Sequence, residues 1–195
     1  MKRIALLGMP NTGKSTLFNR LSGASARVGN WPGITVDLMS AKILIGGHIA
    51  ELIDLPGIYD LHGFSDDEQV VRHFLSNNEV DLAMIVLNSS QIDRQLSLAL
   101  QIKNLGLPAI LLLNMQDEAK RSGISIDAEA MSKQLGLPVK LISAKYGDNC
   151  PQALQMAAKQ LAENMNAVSP SDIASLLEAD VQIEQEMQNI VKKTV

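Results

Sequence analysis

Cysteine, aromatic residues, basic clusters and long apolar runs are all scarce in this chain. Its one cysteine, Cys150, precludes a disulfide within the chain and fits a reducing compartment. Aromatic residues make up 3% of the sequence, so the core must be aliphatic, and a hydrophobic share of 46% is enough to build one. No run of about 18 apolar residues occurs, so the chain is not expected to cross a bilayer. Basic residues never cluster beyond two in a row and the net charge is −4, which argues against nucleic acid as a partner. Apolar residues follow Met1 almost at once, so no signal peptide is expected. The length suits one domain of about 165 residues, expected over 1–168, with an appendage over 169–195.

Against these absences stands G-M-P-N-T-G-K-S at 8–15, directly behind the apolar run Ile4–Leu7. It fits G-x-x-x-x-G-K-[ST], a loop whose backbone N–H groups converge on a diphosphate. Gly8 and Gly13 let the backbone curl, Lys14 is placed for the β- and γ-phosphate oxygens, and the Ser15 hydroxyl for Mg²⁺. A strand before the loop and a helix opening at Thr16–Leu21 set a helix N-terminus against the anion. Gly8, Met9, Pro10, Asn11, Thr12, Gly13, Lys14, Ser15 and Thr16 are the expected phosphate-side set. Such a loop predicts a nucleoside triphosphate.

The base is read about a hundred residues later. The apolar run Ala109–Leu113 delivers N-M-Q-D at 114–117. The Asp117 carboxylate would accept two charge-assisted hydrogen bonds, from the N1–H and 2-amino group that guanine has and adenine lacks. Asn114 would tie this loop to the phosphate loop. Met115, where most guanine readers carry lysine, would cover the ring with its thioether. Alone, N-x-x-D also describes an ordinary capped turn from strand to helix. Order decides between them: phosphate loop, then Gly33, Ile34 and Thr35, then D-L-P-G at 54–57, then N-M-Q-D, then Ser143, Ala144 and Lys145. That succession predicts a GTPase. Within Asp54, Leu55, Pro56 and Gly57, Asp54 would hold Mg²⁺ through water and the Gly57 N–H would bond the γ-phosphate. Thr35 would complete the Mg²⁺ shell, and both loops should relax once the γ-phosphate leaves. Asn11, Lys14, Thr35 and Gly57 are the expected catalytic groups.

In Ras-like enzymes a water-orienting glutamine follows D-x-x-G directly. Here Ile58 stands in that place and cannot orient water. Hydrolysis must use another group, another cation or backbone positioning. Asn11 fits a monovalent cation bridging the phosphates, with the positive charge that an arginine finger supplies elsewhere. It equally fits a turn residue after Pro10.

With these residues in view, the chain resembles the cytoplasmic GTPase domain of the ferrous iron transport protein B family of bacterial membrane transporters. The likeness rests on V-G-N-W-P-G-I-T-V at 28–36, D-L-P-G-I-Y-D-L at 54–61, N-M-Q-D-E-A at 114–119 and L-G-L-P-V at 135–139, and covers roughly residues 2–166. Met9 departs from the family's usual asparagine, which the backbone cradle tolerates. The resemblance implies GTP hydrolysis that needs Mg²⁺ and is stimulated by K⁺, the ion held by Asn11 and by backbone carbonyls at Gly29 and Trp31. It also implies coupling to Fe²⁺ uptake at the cytoplasmic face of the bacterial inner membrane, with a membrane-spanning part of the same transporter. Two other readings stay open: a soluble ribosome- or tRNA-associated GTPase, and a GTP-binding interaction module that hydrolyses slowly. The first should carry a basic extension. Assembly into a homo-oligomer is also left open.

Apolar runs at Arg3–Leu7, Val36–Ile45, His48–Ile53, Leu82–Leu87, Ala109–Leu113 and Val139–Ile142 predict an α/β fold. The expected sheet is six-stranded and mostly parallel, with one antiparallel edge pair turning at Gly46-Gly47. Helices are expected on both faces, over 67–76, 92–105, 127–135 and 149–164. In 169–195, Ser169 caps a helix with Pro170 first. Ile173, Leu176, Leu177, Val181, Met187, Ile190 and Val191 form an interrupted apolar stripe. It reads as one long helix: the resemblance implies a juxtamembrane helix, and the alternative is an amphipathic helix packed on the body. His62, Asp66, Asp67, Glu68 and His73 suit Fe²⁺ by donor type, but an acid-rich helix start explains Asp66–Glu68 without metal. Trp31, the only tryptophan, falls in a loop rather than a predicted core, and Cys150 reads as a small filler at a helix start.

Overall fold

The computed structural model describes residues 1–164, 168–178 and 184–195. Seven strands form one sheet: β1 (Lys2–Gly8), β2 (Arg27–Gly29), β3 (Leu38–Ile45), β4 (His48–Asp54), β5 (Leu82–Asn88), β6 (Ala109–Asn114) and β7 (Val139–Leu141). Their spatial order is β2-β3-β4-β1-β5-β6-β7. The five from β4 to β7 are parallel, and β3 pairs antiparallel with both β2 and β4. The helices are α1 (Lys14–Ser22), α2 (Asp66–Asn77), α3 (Ile92–Asn104), α4 (Gln116–Arg121), α5 (Ala128–Leu135), α6 (Cys150–Glu163), α7 (Pro170–Leu177) and α8 (Glu184–Thr194).

The central strands read as unbroken apolar runs because both faces of the sheet are covered. Along β5 and β6 successive side chains enter opposite cores. Ala83, Ile85, Leu87, Leu111 and Leu113 pack with Phe74 of α2, Leu96 of α3 and Met131 of α5. Leu82, Met84, Val86, Ile110 and Leu112 pack with Phe18 of α1 and Ala153 of α6. Gly46 and Gly47, at φ 56° and 81°, supply the left-handed pair that a two-residue hairpin requires, so Ile45 pairs with His48. The parallel register brings Gly8, Asp54, Asn88 and Asn114 to one edge, beyond which the candidate loops lie together.

Two expectations need correction. The sheet has seven strands rather than six, and two antiparallel pairs rather than one. The extra strand, β2, is three residues long with Arg27 and Val28 exposed, so it has no alternation to read; only its pairing with Leu38–Ser40 makes it a strand. β3 accordingly starts at Leu38, not Val36. The second correction concerns 169–195, expected as one long helix. The described residues there form two, α7 and α8; the stripe residue Val181 lies outside the described residues. The Ser169 cap is as expected, accepting from the Asp172 N–H at 3.2 Å.

Ile173 is fully buried and Ile190 nearly so, both in the core shared with α2, α3 and α5. Ile173→Ala and Ile190→Ala should therefore each destabilise the chain by about 2–5 kcal/mol in urea unfolding. Losses below about 0.5 kcal/mol would mean that α7 and α8 do not pack on the body. Among the described residues no helix is long and apolar enough to cross a membrane.

Candidate functional site

The loop leaving β1 is a tight cradle. Asn11 and Gly13 take left-handed backbone at φ 60° and 79°, and the buried Thr12 hydroxyl donates to Met9 O at 2.9 Å. Gly13 is the N-cap of α1 and offers no side-chain cap, so the first N–H groups of that helix remain for an anion. A side chain at 13 would be strained and would meet Asn114 Nδ2 at 2.2 Å. D-L-P-G closes onto this loop: Ile58 N–H donates to Gly8 O at 2.9 Å, and a Cβ on Gly57 would lie 3.0 Å from the Pro10 backbone. A cavity of about 380 Å³ opens here, lined by Met9, Pro10, Asn11, Gly13, Lys14, Ser15, Thr16, Gly57 and Asp67. Lys14 is buried and its ammonium pairs with the Asp54 carboxylate and the Leu55 carbonyl.

Asn114 joins three loops through one amide. Its Nδ2 donates to Thr12 O at 2.8 Å, and its Oδ1 accepts from Ala144 N–H at 2.8 Å. The Ser89 hydroxyl holds its backbone carbonyl at 2.7 Å. Met115 follows in left-handed backbone at φ 61°, opening α4. Asp117 accepts from Ser143 Oγ at 3.1 Å and from Arg121 at 3.3 Å, which holds its carboxylate facing the 143–145 loop. Phosphate loop, N-M-Q-D and S-A-K therefore form one hydrogen-bonded unit.

The 29–35 loop lies elsewhere. Trp31 packs edge-on against Phe74 of α2 at 5.0 Å between centroids, and the Arg3 guanidinium sits 5.5 Å from its ring. Arg3 is five residues before Gly8 on β1, about 16 Å below the cradle at strand spacing. His73 abuts Gly33, where a Cβ would fall 2.2 Å from Nε2. Trp31 is thus a packing residue here, correcting its expected place outside the core, although among the described residues its buried indole N–H has no partner. Thr35 is exposed, and neither it nor Gly29 nor Trp31 lines the cavity beside Asn11, Ser15 and Lys14. The expected Mg²⁺ trio and K⁺ trio are therefore not assembled in this arrangement.

Sequence reasoning missed Asp67 as a cavity residue because acids at a helix start need no ligand to explain them. Neighbouring Glu68 is spent on structure: its oxygens accept from the Ser65 N–H at 2.9 Å and the Asp60 N–H at 3.3 Å. The Ser65 N–H, foremost, holds its carboxyl below the usual glutamate range. Among the described residues no cluster of His, Cys, Asp and Glu is arranged to hold a metal. Cys150 opens α6 as a buried filler, and burial raises its thiol pKa.

A mostly parallel sheet with both faces covered, a cradle at the carboxyl end of β1 and a base-side loop tied to it define a P-loop GTPase fold. The family model described as ferrous iron transport protein B matches residues 2–157, and the chain belongs to that family. It is 50% identical over 176 residues to the Fe(2+) transporter FeoB of Synechocystis, covering 90% of this chain and 29% of that protein. The Campylobacter jejuni transporter is 42% identical over 153 residues, 78% of this chain and 25% of that one. The chain thus spans under a third of these relatives. Among solved structures, the cytosolic domain of L. pneumophila FeoB superposes with a TM-score of 0.84 at 28% identity, covering 99% of each chain. The T. maritima cytosolic domain, solved in a GDP form, gives 0.86 at 25% identity over 100% of this chain and 99% of that one.

Proposed function

We propose that this chain binds and hydrolyses GTP as the nucleotide-dependent unit of a ferrous iron transporter, at the cytoplasmic face of the bacterial inner membrane. The observation that carries the reading is Asn114, which locks the phosphate loop at Thr12 to the base-side loop at Ala144. In this reading residues 1–168 handle nucleotide and 169–195 are an appended helical segment. Relatives support it: the T. maritima domain was solved with GMPPNP and an S. thermophilus domain with GDP.

Phosphates take the α1 N-terminus and Lys14, whose ammonium must leave Asp54 to reach them. Ser15 lines the cavity, and the Asp54 carboxylate pairs with Lys14, which lines it too; the hydroxyl and the carboxylate are hard oxygen donors, a set that suits Mg²⁺. Bound there, the ion would neutralise phosphate charge. Thr35 joins them only after the 29–35 loop leaves α2. Asp117 reads the guanine edge, and Met115 covers its face.

Ile58 provides no water-orienting group, so Asn11, exposed on the cavity rim, takes the K⁺ role. GTP hydrolysis should run at least about tenfold faster in K⁺ than in Na⁺, and Asn11→Ala should abolish the difference. Equal rates in the two salts, or a K⁺ response that survives Asn11→Ala, would sink that role.

Trp31 should report the switch. An orphan indole N–H costs about 1–3 kcal/mol, so its seat on Phe74 is readily exchanged for another. Its emission should differ between GDP and a non-hydrolysable GTP analogue in Mg²⁺ and K⁺. Identical spectra would show that the 29–35 loop does not follow the γ-phosphate.

A further inference from the structure

We propose that Arg20 is a positioning residue for the base-side loop, and that its grip on Ala144 and Lys145 sets how long a guanine nucleotide stays bound. The proposal rests on the GTP-binding reading above. Arg20 stands in the last turn of α1, and its Nε donates to Ala144 O at 2.6 Å and its Nη2 to Lys145 O at 2.8 Å. One planar fork thus holds two successive carbonyls by charge-assisted bonds, a geometry that lysine cannot reproduce. The remaining nitrogen, Nη1, packs on Gly147, where φ is +85° and a Cβ would come within 2.9 Å. Glycine at 147 lets the guanidinium reach the loop.

In a trans peptide the C=O and the next N–H point opposite ways. The Ala144 carbonyl shares its peptide with the Lys145 N–H, and the Lys145 carbonyl with the Tyr146 N–H. Fixing both carbonyls on Arg20 aims both N–H groups away from α1. Among the described residues neither donates to another protein group. On the opposite side the loop is held by Asn114 through Ala144 N–H and by Asp117 through Ser143. Donors presented there suit the 6-oxo group of guanine and mismatch the 6-amino group of adenine. The helix that begins with Lys14 thus ends by orienting the base loop, about 9 Å further along its axis.

The test follows release of ribose-labelled fluorescent GDP from the whole chain. Arg20→Ala should speed dissociation about tenfold with association unchanged, and Arg20→Lys, with a single donor nitrogen on a flexible stem, should fall between. Two base analogues separate orientation from loosening. GDP's advantage over 2-aminopurine riboside diphosphate, which lacks the 6-oxo group and with it the N1–H, should lose only its 6-oxo part in Arg20→Ala and so shrink about tenfold. Its advantage over IDP, which lacks the 2-amino group read by Asp117, should stay as in the wild type. Unchanged release in Arg20→Ala, or both advantages shrinking together, overturns the proposal and leaves the GTP reading standing. Failure of the wild type to bind GDP overturns that reading instead.

Discussion

Asp117→Asn is expected to weaken GDP binding by about two to four orders of magnitude, the worth of two hydrogen bonds to a charged acceptor. The same variant should gain affinity for XDP. Guanine presents two donors, N1–H and the 2-amino group, to the two carboxylate oxygens. Asparagine replaces one acceptor with a donor, which clashes with the 2-amino group and matches the 2-oxo group of xanthine. The Asp117 carboxylate already faces the 143–145 loop, accepting from Ser143 at 3.1 Å. Asparagine can keep that bond through its remaining oxygen, so the fold should survive. Titration of the wild type and of Asp117→Asn with GDP and XDP gives the answer. Unchanged GDP affinity would remove Asp117 from base reading.

Lys14→Ala should cut GTP turnover by about a hundredfold to a thousandfold, as loss of a preorganised positive group does elsewhere. The ammonium is buried between the Asp54 carboxylate and the Leu55 carbonyl, at the floor of the cradle. Removing it takes the cation from the phosphates and also leaves Asp54 as an unpaired negative charge facing them. Binding and chemistry should therefore fall together, while circular dichroism stays that of the wild type. Ser15→Ala should lose only the Mg²⁺-dependent part of GTP binding, because Ser15 is exposed and supplies one ligand oxygen. A Lys14→Ala variant with full activity would rule out the assigned phosphate site.

The two loops proposed for phosphate and base are legible in the sequence because the residues of each are local. Gly8, Gly13, Lys14 and Ser15 sit within one loop, and Asn114 and Asp117 within one turn. The alternating apolar runs likewise gave the parallel strands, since burial on both faces leaves an unbroken stripe. Contacts between distant segments leave no such trace. Trp31 rests on Phe74, and nothing around residue 31 marks that partner. β2 is too short and exposed to show a period. Arg20 escaped notice because its acceptors are backbone carbonyls, which every residue carries. The sequence does not separate the two C-terminal helices, because a gap in an apolar stripe reads equally well as a polar turn of a single helix.

A guanine-specific nucleotide site built from the phosphate loop, Asn114 and Asp117 is what we propose. Calorimetric titration of the whole chain with GDP and with ADP, in Mg²⁺ and K⁺, tests it most directly. One GDP should bind per chain, with ADP at least about a hundredfold weaker. Equal affinity for the two, or no binding of GDP, would contradict it.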